Sequence, residues 1–120
     1  TMYFADWDAL KAHCPVSGGT WDKEILYEYL VYCCNIKFSE HLDCFFDHYR
    51  KDEALAGLLF DFLLDDYYDG SDSQMGAAHQ ISRMDREVLR KYKVRLLEAQ
   101  KNEALWKRPF FREDSDLEWL

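Results

Sequence analysis

Proline and glycine are scarce in this 120-residue chain, at two and five residues, and they fall in a few places. Few residues therefore interrupt the backbone, and long regular elements are expected. Long apolar runs are also missing. No stretch reaches 18 consecutive apolar residues, so no membrane-spanning helix is predicted. The beginning lacks the charged, apolar and small-residue order of a secretory signal, and Thr1 ahead of Met2 reads as a cloning remnant. There is no CxxC spacing: Cys14, Cys33, Cys34 and Cys44 lie in helical, apolar contexts, and adjacent Cys33 and Cys34 point to different sides of a helix. Buried free thiols in a reducing compartment are the expectation, and with them a soluble, cytoplasmic protein. A glycine-rich phosphate loop and a nucleophile elbow are absent as well.

Cationic excess is the last thing missing. The formal net charge is -8 and the pI about 4.9, which disfavours direct contact with nucleic acid or an anionic membrane and favours basic partners. The imbalance is uneven. Residues 1–72 hold 15 acids and 5 bases, whereas residues 73–120 hold 8 acids and 10 bases, all of the latter between Arg83 and Arg112.

What is present is apolar and aromatic. At 48% hydrophobic and 17% aromatic the chain has enough to fill one core, and 120 residues make one domain. The densest stretch is Asp52 to Gly70, DEALAGLLFDFLLDDYYDG. At about 100° per residue, Leu55, Leu58, Leu59, Phe60, Phe62, Leu63, Leu64 and Tyr67 cover most of a helix circumference. Asp61, Asp65 and Asp69 fill the remaining stripe at i, i+4, i+8. The prediction is an all-α fold: a single compact bundle of five or six helices around a central apolar helix at about 53–69, occupying residues 1–120, with 113–120 an acidic tail.

The other helices follow from periodicity and caps. A short helix is predicted over Ala5–Cys14, with Trp7 and Leu10 inward. A second runs from Thr20 as N-cap to about Asn35. A third starts at Ser39, with Leu42, Phe45, Phe46 and Tyr49 inward and Arg50 and Lys51 at its C-terminal end. Asp52 caps the central helix and Gly70 ends it. Residues 70–76 read as a loop and Ala77–Gln80 as a helical turn. Ser82 with Asp85 reads as a capping box opening one long helix from Arg83 to about Lys107, with Met84, Val88, Leu89, Tyr92, Leu96 and Ala99 inward. Pro109 stops it, and Phe110 and Phe111 fold back on the body. No strand-period run competes.

Four constellations carry possible chemistry. His41, Cys44 and His48 fall at i, i+3, i+7, residue types that suit zinc, but no fourth ligand has motif-like spacing. Asp65-Asp66-Tyr67-Tyr68-Asp69 has the DDxxD spacing with which isoprenoid synthases hold magnesium; the chain lacks their length and their second carboxylate motif. Read as a calcium loop from Asp65, the same run fails at two ligand positions, Tyr67 and Gly76. His79 with Ser82 and the aspartates supplies hydrolase residue types without a recognisable order. No metal or cofactor is predicted, and no catalytic residue.

The acidic surface is the strongest candidate. Asp61, Asp65 and Asp69, with Asp72 beyond them, form one edge; Asp43 and Asp47 form a second i, i+4 pair, and Glu24 and Glu28 a third. Like charges at that spacing cost a helix a few tenths of a kcal/mol per pair, so several such pairs call for some offset. The predicted contact residues are Asp61, Asp65, Tyr68, Asp69, Asp72, Asp43 and Asp47. The expected function is an acidic protein-binding inhibitor, a bacterial immunity protein that meets one basic toxin of the nuclease type at 1:1 and closes its active-site cleft, with a tyrosine as anchor. The alternatives are a phage-type inhibitor that mimics nucleic acid, and a small metal-dependent helical enzyme using the Asp61/Asp65/Asp69 cluster.

Overall fold

A computed structural model describes residues 4–65, 67 and 72–101. Among them run seven helices and one small hairpin: α1 (Trp7–Lys11), β1 (Val16–Ser17), β2 (Thr20–Trp21), α2 (Lys23–Tyr32), α3 (Ile36–Asp47), α4 (Glu53–Leu64), α5 (Asp72–Ser82), α6 (Arg86–Lys91) and α7 (Lys93–Lys101). The mostly-α class is as expected. The last part of the predicted long helix, Phe110, Phe111 and the acidic tail lie outside the described residues.

Helix starts follow the chemistry of side-chain caps. Asp6, Asp22, Asn35, Asp52 and Asp85 each place a carboxylate or amide oxygen on a backbone N–H in the first turn of α1, α2, α3, α4 and α6. These N–H groups have no partner within the helix, so each cap satisfies an otherwise lost donor. Three caps differ from expectation. Asp22 starts α2 in place of Thr20, Asn35 starts α3 in place of Ser39, and Asp85 starts α6 in place of Ser82, whose hydroxyl donates to the His79 carbonyl instead.

Thr20 is taken up by the hairpin, which was not expected. Val16 pairs with Trp21 and Ser17 with Thr20 in antiparallel register. Gly18 and Gly19 form the two-residue turn at φ of 58° and 80°, the conformation a tight hairpin needs and side chains resist. The hairpin aims Trp21 at the body. Its indole N–H donates to Asp52 Oδ2 at 3.2 Å while Asp52 Oδ1 caps α4 through Leu55 N at 3.0 Å. One carboxylate thus joins the hairpin to the start of α4.

α4 is buried over most of its circumference, as its composition demands: Leu55, Ala56, Leu59, Phe60, Phe62 and Leu63 are all inaccessible. Burying each large member stabilises the fold by roughly 1.5–3 kcal/mol. The helix ends at Leu64, earlier than predicted, with Asp65 extended.

α5 is the principal correction. Residues 72–76, read as loop, are helical and continuous with 77–82. α5 packs along both α2 and α4, with Gly76, Ala77, Ala78 and Ile81 buried. Gly76 explains the closeness. A Cβ built there would stand 2.0 Å from the Leu30 carbonyl oxygen, so α2 and α5 meet backbone to backbone. The buried polar residues of α5 have structural duties. Gln74 donates to the Leu63 carbonyl at 2.7 Å, satisfying an acceptor at the end of α4.

The predicted long last helix is two. It breaks at Tyr92 (φ -107°, ψ 22°), where the phenol donates to the Glu53 carbonyl at 2.7 Å and the ring stacks on Phe60. Met84, Val88, Leu89 and Leu96 are buried as expected.

Substitutions at three positions test this packing. Gly76→Ala cannot be absorbed by a flexible neighbour and should cost about 3 kcal/mol or more in urea unfolding, at or beyond the upper end for overpacking. Gly57→Ala meets only the Tyr92 ring, nearest atom 3.1 Å, and gains helix propensity, so its change should stay within about 1 kcal/mol. Asp52→Ala should cost about 1–2 kcal/mol by loss of the cap, with a change in Trp21 fluorescence; Asp52→Asn should recover only part, because one amide atom presents N–H to the indole N–H.

Candidate functional site

The predicted acidic edges divide into two groups once their surroundings are seen. Asp43, Asp47 and Asp61 are held by bases of the second half of the chain. Asp43 Oδ1 lies 3.0 Å from each of three nitrogens: Arg83 Nη1, Gln80 Nε2 and His79 Nε2. Arg83 reaches on with Nη2 to Asp47 Oδ1 at 2.6 Å, and Arg50 joins the same oxygen at 2.8 Å. Arg83 is only 22% exposed, so this pairing fastens α3 to the end of α5 in a partly desolvated setting. Asp61 pairs with Arg95 Nη2 at 2.8 Å; the same guanidinium donates to the Gly57 carbonyl and lies 5.7 Å from the Phe60 ring centre. Glu53 accepts from Lys91, and that contact raises the Lys91 ammonium above its ordinary pKa.

Arg83, Lys91 and Arg95 therefore reach across to the acidic helices, and these carboxylates serve as fasteners between elements. Glu28 leaves the surface for a different reason: it is buried on α2, so it forms no exposed pair with Glu24. Four further aspartates, Asp6, Asp22, Asp52 and Asp85, are helix caps.

Asp65 and Asp72 are placed otherwise. Asp65 ends α4 and accepts from Tyr67 N at 2.9 Å in a side-chain turn, and Asp72 opens α5. Both are exposed, and among the described residues neither forms an ion pair. Gln74 bonding to the Leu63 carbonyl sets the start of α5 beside the end of α4. The Cys34 thiol donates to the Asp72 carbonyl at 3.5 Å, which brings the α2–α3 corner to the same end. Two large apolar side chains are exposed in these segments, Ile36 at 93%, two residues past Cys34, and Tyr67 at 86%, two residues past Asp65. Lys37, next to Ile36, turns to the Ala5 carbonyl. One end of the bundle thus carries Asp65 and Asp72, with the exposed Tyr67 next to Asp65. Tyr68 and Asp69, also predicted as contacts, lie outside the described residues.

Among the described residues His41, Cys44 and His48 do not converge, and His79 and Ser82 do not form a nucleophile–base pair; Asp66, Tyr68 and Asp69 of the aspartate-rich run lie outside them. His41 stacks on Trp7 at 5.6 Å with an interplanar angle of 5°, away from any convergence with Cys44 and His48. Among the described residues no group of three or more His, Cys, Asp or Glu could hold a metal ion. His79 has its aspartate, but the Ser82 hydroxyl donates to the His79 carbonyl at 2.6 Å, so this arrangement does not present a serine to the imidazole as a base-activated nucleophile. An open groove of about 460 Å³ runs between the hairpin and α4, lined by Trp21, Ala54, Gly57, Leu58 and Asp61 among others. Its one carboxylate is the Asp61 that Arg95 already holds.

The cysteines also part from expectation. Cys33 alone is buried, while Cys14, Cys34 and Cys44 are exposed. Burial lifts the Cys33 thiol well above its ordinary pKa, although the amide donated by Gln80 to its sulfur at 3.5 Å acts the other way. Tyr29 is raised in the same sense, mainly by burial.

Comparison of the chain with protein-family models, with curated proteins and with solved structures finds no match in any of the three.

The sequence separated acidic and basic halves but not which acids the bases would hold. Arg83 and Arg95 as long-range partners carried no local signal, since their partners lie 34 to 40 residues away.

Four measurements check this picture. Arg83→Gln should lower stability by about 1–3 kcal/mol and keep most of that loss in about 1 M salt, because the pairing is partly buried. Lys91→Gln, at an exposed pair, should show a smaller loss that salt removes. A thiol reagent should modify Cys14, Cys34 and Cys44 on the native protein and Cys33 only after unfolding. Stability should also fall as pH rises past the ordinary thiol value of about 8.5, since Cys33 stays protonated when folded and ionises when unfolded. Cys33→Ala should remove part of that alkaline slope.

Proposed function

We propose that this is an acidic binding protein that engages one cationic protein partner through the end of the bundle carrying Asp65, Tyr67 and Asp72. We further propose that it inhibits that partner, as a bacterial immunity protein would close the basic cleft of a nuclease-type toxin. The observation that carries the reading is the contrast between the two sets of aspartates. Asp43, Asp47 and Asp61 are engaged within the fold, whereas Asp65 and Asp72 form no ion pair among the described residues, and Tyr67, whose backbone N–H donates to Asp65, is more than four-fifths exposed.

Each part has a physical role in binding. Carboxylates at high solvent exposure raise the rate of encounter with a basic surface more than they raise affinity. An exposed tyrosine supplies a large apolar area with few torsions to freeze, and so suits an anchor in a partner pocket. A nuclease cleft built to hold phosphates is rich in Lys and Arg, which matches carboxylates on an occluding protein. The cytoplasmic location and the 1:1 ratio belong to this proposal, while the shape itself carries a narrower fact: among the described residues no helix is long and apolar enough to cross a membrane.

The test uses two charge reversals of equal size. Asp72→Lys and Glu24→Lys each change the charge by two and each sit in the first turn of a helix, α5 and α2, at different places in the bundle. Immobilised wild-type protein and the Glu24→Lys variant should both capture one basic protein from the native host at 1:1, in a salt-sensitive manner. Asp72→Lys, and more so its combination with Asp65→Lys, should lose it by tenfold or more in association rate. Tyr67→Ala should act chiefly on dissociation. Equal capture by all the variants, or a partner that is not basic, would overturn the assignment.

A further inference from the structure

We draw no further inference here: the strongest candidate, the outward surface patch of α7 where Val94 and Leu97 stand exposed with Lys93 and Lys101 nearby, carries nothing because nothing in the structure shows what covers it.

Discussion

Where α5 crosses α2, the backbone of Gly76 lies so near the Leu30 carbonyl that no side chain fits between them. Much of the arrangement depends on that approach. It lets α5 pack against both α2 and α4, with Ala77, Ala78 and Ile81 buried in the same core as Leu59, Phe60 and Phe62. It also brings Gln74 to the open end of α4 and Gln80 to the Asp43 carboxylate. A wider spacing would leave both amides buried short of their partners, at about 1–3 kcal/mol each. Close packing and polar satisfaction are thus one constraint here.

Charge follows from the same geometry. With α5 seated, Arg83 emerges against α3, and α6 and α7 run on so that Lys91 and Arg95 reach the two ends of α4's outer face. A chain with an acidic first half and a basic second half folds the second onto the first. Much of the acidity is then structural, as caps or as cross-element pairs. The repulsion expected between Asp43 and Asp47 is offset by one shared guanidinium. Among the described residues the exposed acids outside these pairs include Glu24, Glu40 and Glu98 as well as Asp65 and Asp72, the last two standing where α4 gives way to α5.

Large apolar side chains made most of the fold legible. α4 declared itself by eight leucines, phenylalanines and a tyrosine in little more than three turns, and the α3 line of Leu42, Phe45, Phe46 and Tyr49 was equally plain. α5 was hidden because its burial is signalled by what is missing. Ser73, Gly76, Ala77 and Ala78 are small so that a backbone can approach, and a periodicity that counts large residues passes over them. Gly76 reads as a breaker in sequence and acts as a contact in space. The break at Tyr92 was invisible for a related reason: its residues suit a continuous helix, and the departure coincides with a hydrogen bond to Glu53, 39 residues earlier. Of the candidate site, residue types could be read but not their engagement, since local spacing places Asp43 and Asp61 on surfaces without saying what lies across from them.

A rigid platform matters to the binding proposal, because Asp72 and Cys34 hold the exposed end together only if α5 is a core helix from its first turn. Native-state hydrogen exchange measures this directly. The amides from Gly76 to Ile81 should exchange as slowly as those of Leu59 to Leu63 in α4, at rates set by global unfolding. Exchange of the Gly76–Ile81 amides at the rate of an open loop, with α4 still protected, would contradict the structure's central packing and the contact surface proposed on it.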